Sequence, residues 1–233
     1  MRKTVGLMGA AAVVVAFLAA PAVAADMGAR APAYKAAPVD YWSPWMIRVR
    51  AIGVLPRDAG TVDQIPGAGL AYSDAIVPEL DITYFFTRNI AAELILGVTR
   101  HDIDGTGALT GVPAGSTWLL PPTLTLQYHF TDLGAFKPYV GVGVNYTIPF
   151  STSAAGGVVT QLSVGNAFGV AAQIGFDYML TANWGVNVDV KKLWLDPTWS
   201  ANNGALTGHT HLDPWLVGAG ITYRFGGPVL AKY

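Results

Sequence analysis

Apolar and polar residues alternate along most of the chain between residues 45 and 225. Leu80, Ile82, Tyr84 and Phe86 fall on one side of a short segment, and Glu79, Asp81 and Thr83 on the other. The same period runs through Phe168, Val170, Ala172, Ile174, Phe176 and Tyr178, and again through Trp215, Val217, Ala219, Ile221, Tyr223 and Phe225. A two-residue period belongs to a strand with unlike faces. It predicts eight strands, at 45–55, 79–86, 90–99, 121–130, 138–147, 168–178, 184–194 and 214–225.

The connections alternate too. Residues 87–89, 131–136 and 181–183 are tight turns, whereas 56–77, 100–120, 148–167 and 195–213 each run to about twenty residues rich in Gly, Pro, Asp, Asn and Ser. Short turns at one end and long loops at the other describe an antiparallel up-and-down meander. Loops of that length count against a compact soluble domain. They fit an eight-stranded transmembrane β-barrel, with turns in the periplasm and four long loops outside the cell.

Alternation alone does not say which face is inside, since a soluble sheet also alternates with its apolar face inward. Aromatic placement decides. Tyr84, Phe86, Tyr128, Phe130, Tyr178, Trp184, Tyr223 and Phe225 all lie on the apolar face beside the short turns. Amphipathic rings favour the headgroup level of a bilayer, so this row reads as a girdle and the apolar face points into lipid. The polar face then lines the lumen, with candidate lining residues Arg48, Arg50, Glu79, Asp81, Glu93, Ile95, Gln127, Asn145, Asp177, Asp189, Lys191 and Arg224. Four of these are basic and five acidic, close to the balance that charge pairing in a buried lumen requires.

Composition agrees with a membrane barrel. Charged residues make up 12% of the 233, about half the roughly 25% of soluble domains. Hydrophobic residues make up 52%, yet past the N-terminus no run approaches the ~18 apolar residues of a spanning helix. The formal charge of −1 offers no basic footprint for nucleic acid, and the absence of cysteine excludes disulfides, thiolate catalysis and cysteine-ligated metals. Arg2 and Lys3 precede an apolar stretch that ends in small residues at Pro21 to Ala25, the pattern of a secretory signal cleaved after residue 24. Its removal leaves 12 basic against 15 acidic residues. Residues 25–43, rich in Ala and Pro, are expected to form a flexible periplasmic leader, 44–225 the barrel and 226–233 a C-terminal extension.

Five segments carry a resemblance. Trp45-Met46-Ile47-Arg48-Val49-Arg50-Ala51, Leu120-Pro121-Pro122-Thr123-Leu124, the run from Pro138 to Thr147, Gly175-Phe176-Asp177-Tyr178, and Asp213-Pro214-Trp215 leading to Tyr223-Arg224-Phe225 stand in order at the expected strand positions. In these the chain resembles the OmpW family of outer-membrane barrels. The resemblance implies a monomer in the Gram-negative outer membrane, in contact with lipid and lipopolysaccharide, and inserted by the barrel assembly machinery. It also implies a narrow lumen passing small hydrophobic molecules, through a lateral opening in the wall.

Eight strands leave an interior only about wide enough for side chains to fill, which disfavours an aqueous pore. On this reading Trp118, Leu119 and Leu120 are candidates for a vestibule. Pro121 and Pro122, which supply no ladder hydrogen bonds, are candidates for a gap, unless they simply end the loop. Two departures from the family stand out. Lys191 turns inward where the family's constriction is rather apolar, with Asp189, Asp177 or Glu93 as expected partners. Residues follow Phe225, where the family usually ends on the last aromatic.

The alternative function is a structural barrel with a plugged lumen, whose loops meet host molecules, phage or bacteriocins. Catalysis would need a histidine to activate a serine or water. Of the four histidines, His101, His209 and His211 fall in loops and His129 faces inward; Ser73-Asp74 would serve only with a loop histidine folded over it. His209 and His211 are read as exposed, with Asp213 the only nearby carboxylate. No catalytic residue, metal or cofactor is expected.

Overall fold

The computed structural model describes residues 42–57 and 60–226. The signal sequence, most of the leader and all of the C-terminal extension except Gly226 lie outside the described residues. Trp42 and Ser43, assigned above to the leader, already belong to the first strand.

Eight strands form the barrel: β1 (Trp42–Leu55), β2 (Ala75–Phe85), β3 (Ile90–Gly97), β4 (Thr123–His129), β5 (Phe136–Ala154), β6 (Ala167–Met179), β7 (Trp184–Leu195) and β8 (Trp215–Gly226). Each pairs antiparallel with the next, and β8 pairs with β1 from Leu55 opposite Trp215 to Met46 opposite Arg224, closing the ring. Closure leaves no open edge among these strands, the condition for β-structure in lipid.

The two faces separate as the alternation predicts. Arg48, Asp81, Thr83 and Glu93 have no solvent exposure, while Val142 and Ile174 are 65% and 61% exposed on the outer face. The girdle forms at the turn end, with Tyr84 against Trp45 and Phe86, Tyr128 against Phe130, and Tyr223 between Trp184 and Phe225, ring centroids 4.7–5.3 Å apart. A second outward row, Trp194, Trp215 and Phe168, lies eight to ten residues further along the same strands. At about 3.4 Å per residue and a tilt of 35–45°, the rows stand roughly 19–28 Å apart, a range that includes the height of the apolar band of an outer-membrane barrel.

Two of the short turns use one device. Thr87 Oγ1 accepts the N–H groups of Asn89 and Ile90, and Asn89 Nδ2 donates to the carbonyl of His129 at the end of β4, 2.7 Å away. Thr181 and Asn183 repeat it, with Asn183 Nδ2 donating to the carbonyl of Arg224 at 2.9 Å. Each Thr-x-Asn turn is thus closed on itself and tied to the next strand.

The long connections are more ordered than their composition suggests. Strands Thr99–Gly107 and Pro113–Leu120 continue the wall upward beside the extended β5, and Ala68–Tyr72 pairs with the first of them. Leu162–Val164, Thr198–Ala201 and Leu206–His209 form a second sheet. Residues 61–63 join the two, through Thr61 N–H to the His209 carbonyl (2.8 Å), Asp63 N–H to Thr207 (2.9 Å) and Val62 N–H to Ala68 (3.2 Å). The result is a collar above the membrane, filled by Leu70, Tyr72, Ile103, Trp199 and Leu212. Outward positions here are charged, as at Arg100, Asp102 and Asp104, which marks the upper limit of the lipid band.

Arginine at Val142 or Ile174 is expected to cost roughly 2–4 kcal/mol near the bilayer midplane. A loss of the heat-dependent gel shift, or a lowered urea midpoint in vesicles, reads this out. Unchanged folding of both variants would reverse the face assignment.

Candidate functional site

The lumen has two storeys. The lower is a closed network of buried charges on β1, β2, β3, β6 and β7. Arg48 holds Asp177 with both arms of its guanidinium, Nε to Oδ1 at 3.0 Å and Nη2 to Oδ2 at 2.7 Å, and its Nη1 meets Glu93 and Thr83. Arg50 Nη2 lies 2.9 Å from Glu79 and 2.7 Å from Asp81. The Asp81 contact is an ion pair by distance, but neither Asp81 oxygen receives a hydrogen bond. Lys191 donates to Glu79 at 2.9 Å and Asp189 at 2.7 Å.

Lys191 meets Asp189, one of the three partners expected, and Glu79 as well. Arg224 lies nearer the turns, with its guanidinium 4.6 Å above the ring of Phe85. At the level of the ion pairs, Arg48, Arg50 and Lys191 share five carboxylates, Glu79, Asp81, Glu93, Asp177 and Asp189.

Neutral donors supplement the cations. Gln127 and Gln173 donate to Glu93, Gln173 and Tyr139 to Asp189, and Thr222 and Asn187 to Asp177, at 2.6–3.0 Å. Hydrogen bonds to charged acceptors are roughly twice as strong as neutral ones, so they stabilise Glu93, Asp177 and Asp189, whose cations are shared with other carboxylates. Tyr139, Gln173, Asn187 and Thr222 were not among the lining residues read from the sequence; they stand on the inner face, and their roles depend on reach, which alternation does not give. Space for the Tyr139 ring comes from Gly175, where a Cβ would sit 2.5 Å from the Tyr139 hydroxyl. His129 is buried between Phe85 and Tyr139, with Nε2 2.8 Å from Gln127 Oε1.

Above this plug lies a cavity of about 60 Å³. Ile52, Val54, Ile95, Leu119, Leu193 and Leu216 supply apolar wall. Its floor is the Lys191–Glu79 pair, and Tyr72 and His101 lie toward the collar. Both are above the lipid band, and both are neutral at pH 7: burial pushes the Tyr72 phenol up to about 12 and the His101 imidazole below its ordinary value, against the opposing pull of the Ser73 carbonyl, Asp74 and Asp102.

One side of the cavity meets an interruption in the wall. β3 and β4 pair as far as Ile95 opposite Thr123, and pairing resumes in the collar at Thr99 opposite Leu119. Between these points, Leu96 to Val98 and Leu120 to Pro122 have no partners across this seam among the described residues. Gly97 and Pro121 both line the cavity. Asn145 sits beside the gap rather than in the plug, where its Nδ2 donates to the Pro121 carbonyl at 3.1 Å and Thr123 Oγ1 at 2.8 Å.

Of the five vestibule candidates, Leu119 and Pro121 reach the cavity. Trp118 turns outward, 40% exposed with its ring 6.3 Å from Phe150, and Leu120 and Pro122 sit half-buried in the wall.

The loop histidines separate. His101 is buried in a collar strand, and its Nδ1 meets the Ser73 carbonyl at 2.6 Å. The Ser73 hydroxyl instead accepts the Asp102 N–H at 3.0 Å, so no serine is activated there. His209 and His211 are exposed, as read from the sequence, and His211 Nδ1 meets Asp196.

Comparison with known proteins places this arrangement. A sequence model of the OmpW family matches residues 44–225. The chain is 54% identical over 220 residues to the uncharacterized outer-membrane protein y4mB of Sinorhizobium fredii, covering 92% of this chain and 95% of that protein. It is 28% identical over 190 residues to the dibenzothiophene metabolism operon protein PahQ of Pseudomonas aeruginosa, covering 78% and 89%. Among solved structures it is similar to the outer membrane protein OprG of Pseudomonas aeruginosa, with a TM-score of 0.72 and 29% identity over 78% of this chain and 95% of that one.

Arg48→Met should destabilise the barrel by about 3–5 kcal/mol, because Asp177 and Glu93 lose their cation while staying buried. Adding Asp177→Asn and Glu93→Gln should recover part of that loss. Urea midpoints in lipid vesicles compare the two; a triple variant no more stable than the single one would mean the pairing is not what Arg48 contributes.

Proposed function

The chain belongs to the OmpW family of outer-membrane proteins, and from that premise we propose that it is a narrow, passive, non-enzymatic conduit for small hydrophobic molecules. The observation that carries this reading is the position of the apolar cavity. It stands against the unpaired seam at Gly97 and Pro121, with the ion-paired network closing the lumen beneath it.

An apolar solute that reaches the cavity from the collar has two directions to go. Downward, it must displace fully buried charges, at a cost of several kcal/mol for each partner left unpaired. Sideways, it passes between Leu96–Val98 and Leu120–Pro122 into the acyl chains, where apolar surface stays away from water throughout. The second route is the favourable one and needs no energy source. Water and ions gain nothing from it. PahQ is named for an operon of dibenzothiophene metabolism, an apolar aromatic compound, and that supports the solute class. The closed ring of strands supports a monomer.

The plug also favours a second reading, a sealed barrel whose collar meets surface partners. Uptake of a panel of small hydrophobic compounds, by cells with and without the protein, separates the two. Protein-dependent uptake is expected, with negligible ion conductance of the purified barrel in planar bilayers. Gly97→Phe, which fills the seam from the opposite edge to the prolines, should reduce uptake at least severalfold while leaving the gel shift intact. Equal uptake with and without the protein would reject the conduit and favour the sealed barrel.

A further inference from the structure

The cavity wall is apolar, but the groups at its two ends are not equivalent. His101, 3% exposed, lines it from the collar side. Its Nδ1 is 2.6 Å from the Ser73 carbonyl, which can only accept, so Nδ1 carries the proton. Nε2 is therefore a lone-pair acceptor, and the hydrogen bond recorded for this ring among the described residues is the one at Nδ1. At the floor, Lys191 spends two of its three hydrogens on Glu79 and Asp189 and keeps one donor. The Tyr72 ring lies edge-on to the imidazole, centroids 6.4 Å apart, and completes an aromatic end to the chamber.

We propose that His101 Nε2 is a specificity element of the conduit, selecting small apolar molecules that carry one hydroxyl or N–H donor, phenols and short alcohols, over hydrocarbons of the same size. The inference rests on the conduit reading and sharpens its solute class. A hydrocarbon in this cavity leaves a buried acceptor unpaired; a phenol of similar volume satisfies it and keeps its ring against the apolar wall. Sites built to hydrogen-bond a ligand discriminate strongly against the analogue that lacks the group, whereas a purely apolar wall distinguishes poorly between such solutes. The Ser73 carbonyl makes His101 effective by fixing both its tautomer and its ring orientation.

Phenol, toluene and anisole test this. Toluene matches phenol in size without a donor, and anisole keeps the oxygen as an acceptor only. Each is titrated into the full barrel in lipid nanodiscs, followed at the Ile95 and Leu119 methyl groups and at the 15N resonances of His101. The expected result is a phenol-specific displacement of the Nε2 resonance. Phenol should also bind about fivefold or more tightly than toluene, the effect of one neutral hydrogen bond, and the preference should vanish in His101→Phe.

Equal affinities, or an unmoved Nε2 resonance in the wild-type protein, would overturn the role of His101 and leave the conduit standing. Anisole binding as tightly as phenol, and still doing so in His101→Phe, would put polar recognition at Lys191 and overturn it too. Displacement of Nε2 by phenol together with failure of the uptake experiment would keep the binding site and remove the conduit. Because the resonance is read in the unmodified protein, misfolding of the variant does not blunt the test.

Discussion

In hydrocarbon every backbone N–H and C=O must find a partner within the protein, and this barrel is organised around how it meets that demand. Seven hairpin pairings and the β8–β1 closure satisfy the ladder around the ring. Once the ladder is closed, side chains have only two places to go, and the period of two sorts them into lipid and lumen. Where Pro121 and Pro122 remove two donors, the carbonyls are met in another way: Asn145 donates to the first, and Tyr146 N–H to the second at 3.0 Å. The seam toward Leu96–Val98 then stays unpaired without leaving those two proline oxygens unsatisfied.

The charges of the lumen follow from the same geometry. An eight-stranded ring is too narrow to hydrate its interior, so inward ionic groups must serve as one another's solvent. Arg48 and Arg50 project from one strand into carboxylates drawn from four others, while amides and hydroxyls supply the donors that the cations cannot. Such a network gains its stability from completeness, since removing one partner strands several others. That makes the lower storey rigid and leaves the apolar storey, whose contacts are non-directional, as the part able to accommodate a guest.

The strands were legible because lipid on one side and charge on the other enforce alternation with few exceptions; most observed ends fall within a few residues of those read from the pattern. The collar was not, because Gly105, Gly107, Pro113 and Gly115 read as loop although Thr99, His101, Ile103 and Gly105 alternate strictly with Arg100, Asp102 and Asp104. Trp118 was misplaced because residues 100–120 were read as a loop: parity counted back from the outward Leu124 and Leu126 already puts Trp118 on the outer face and Leu119 on the inner one, as observed. Parity also gives a face but no height. Lys191 sits in register with Leu216, well above Asp177, and the stagger between strands that sets this level leaves no trace in alternation. For Arg224 the pattern gave the correct strand, but not its position beside Phe85 at the periplasmic end.

The collar has a consequence for how the outside world meets this protein. Residues 61–63 are bonded to both sheets of the collar, and Ala68 to Tyr72 packs over Gly60, so the four connections are not independent filaments but parts of one folded rim. An antibody or a phage fibre would therefore contact a composite epitope assembled from segments far apart in sequence. A synthetic peptide copied from any single loop would present the right residues in the wrong shape.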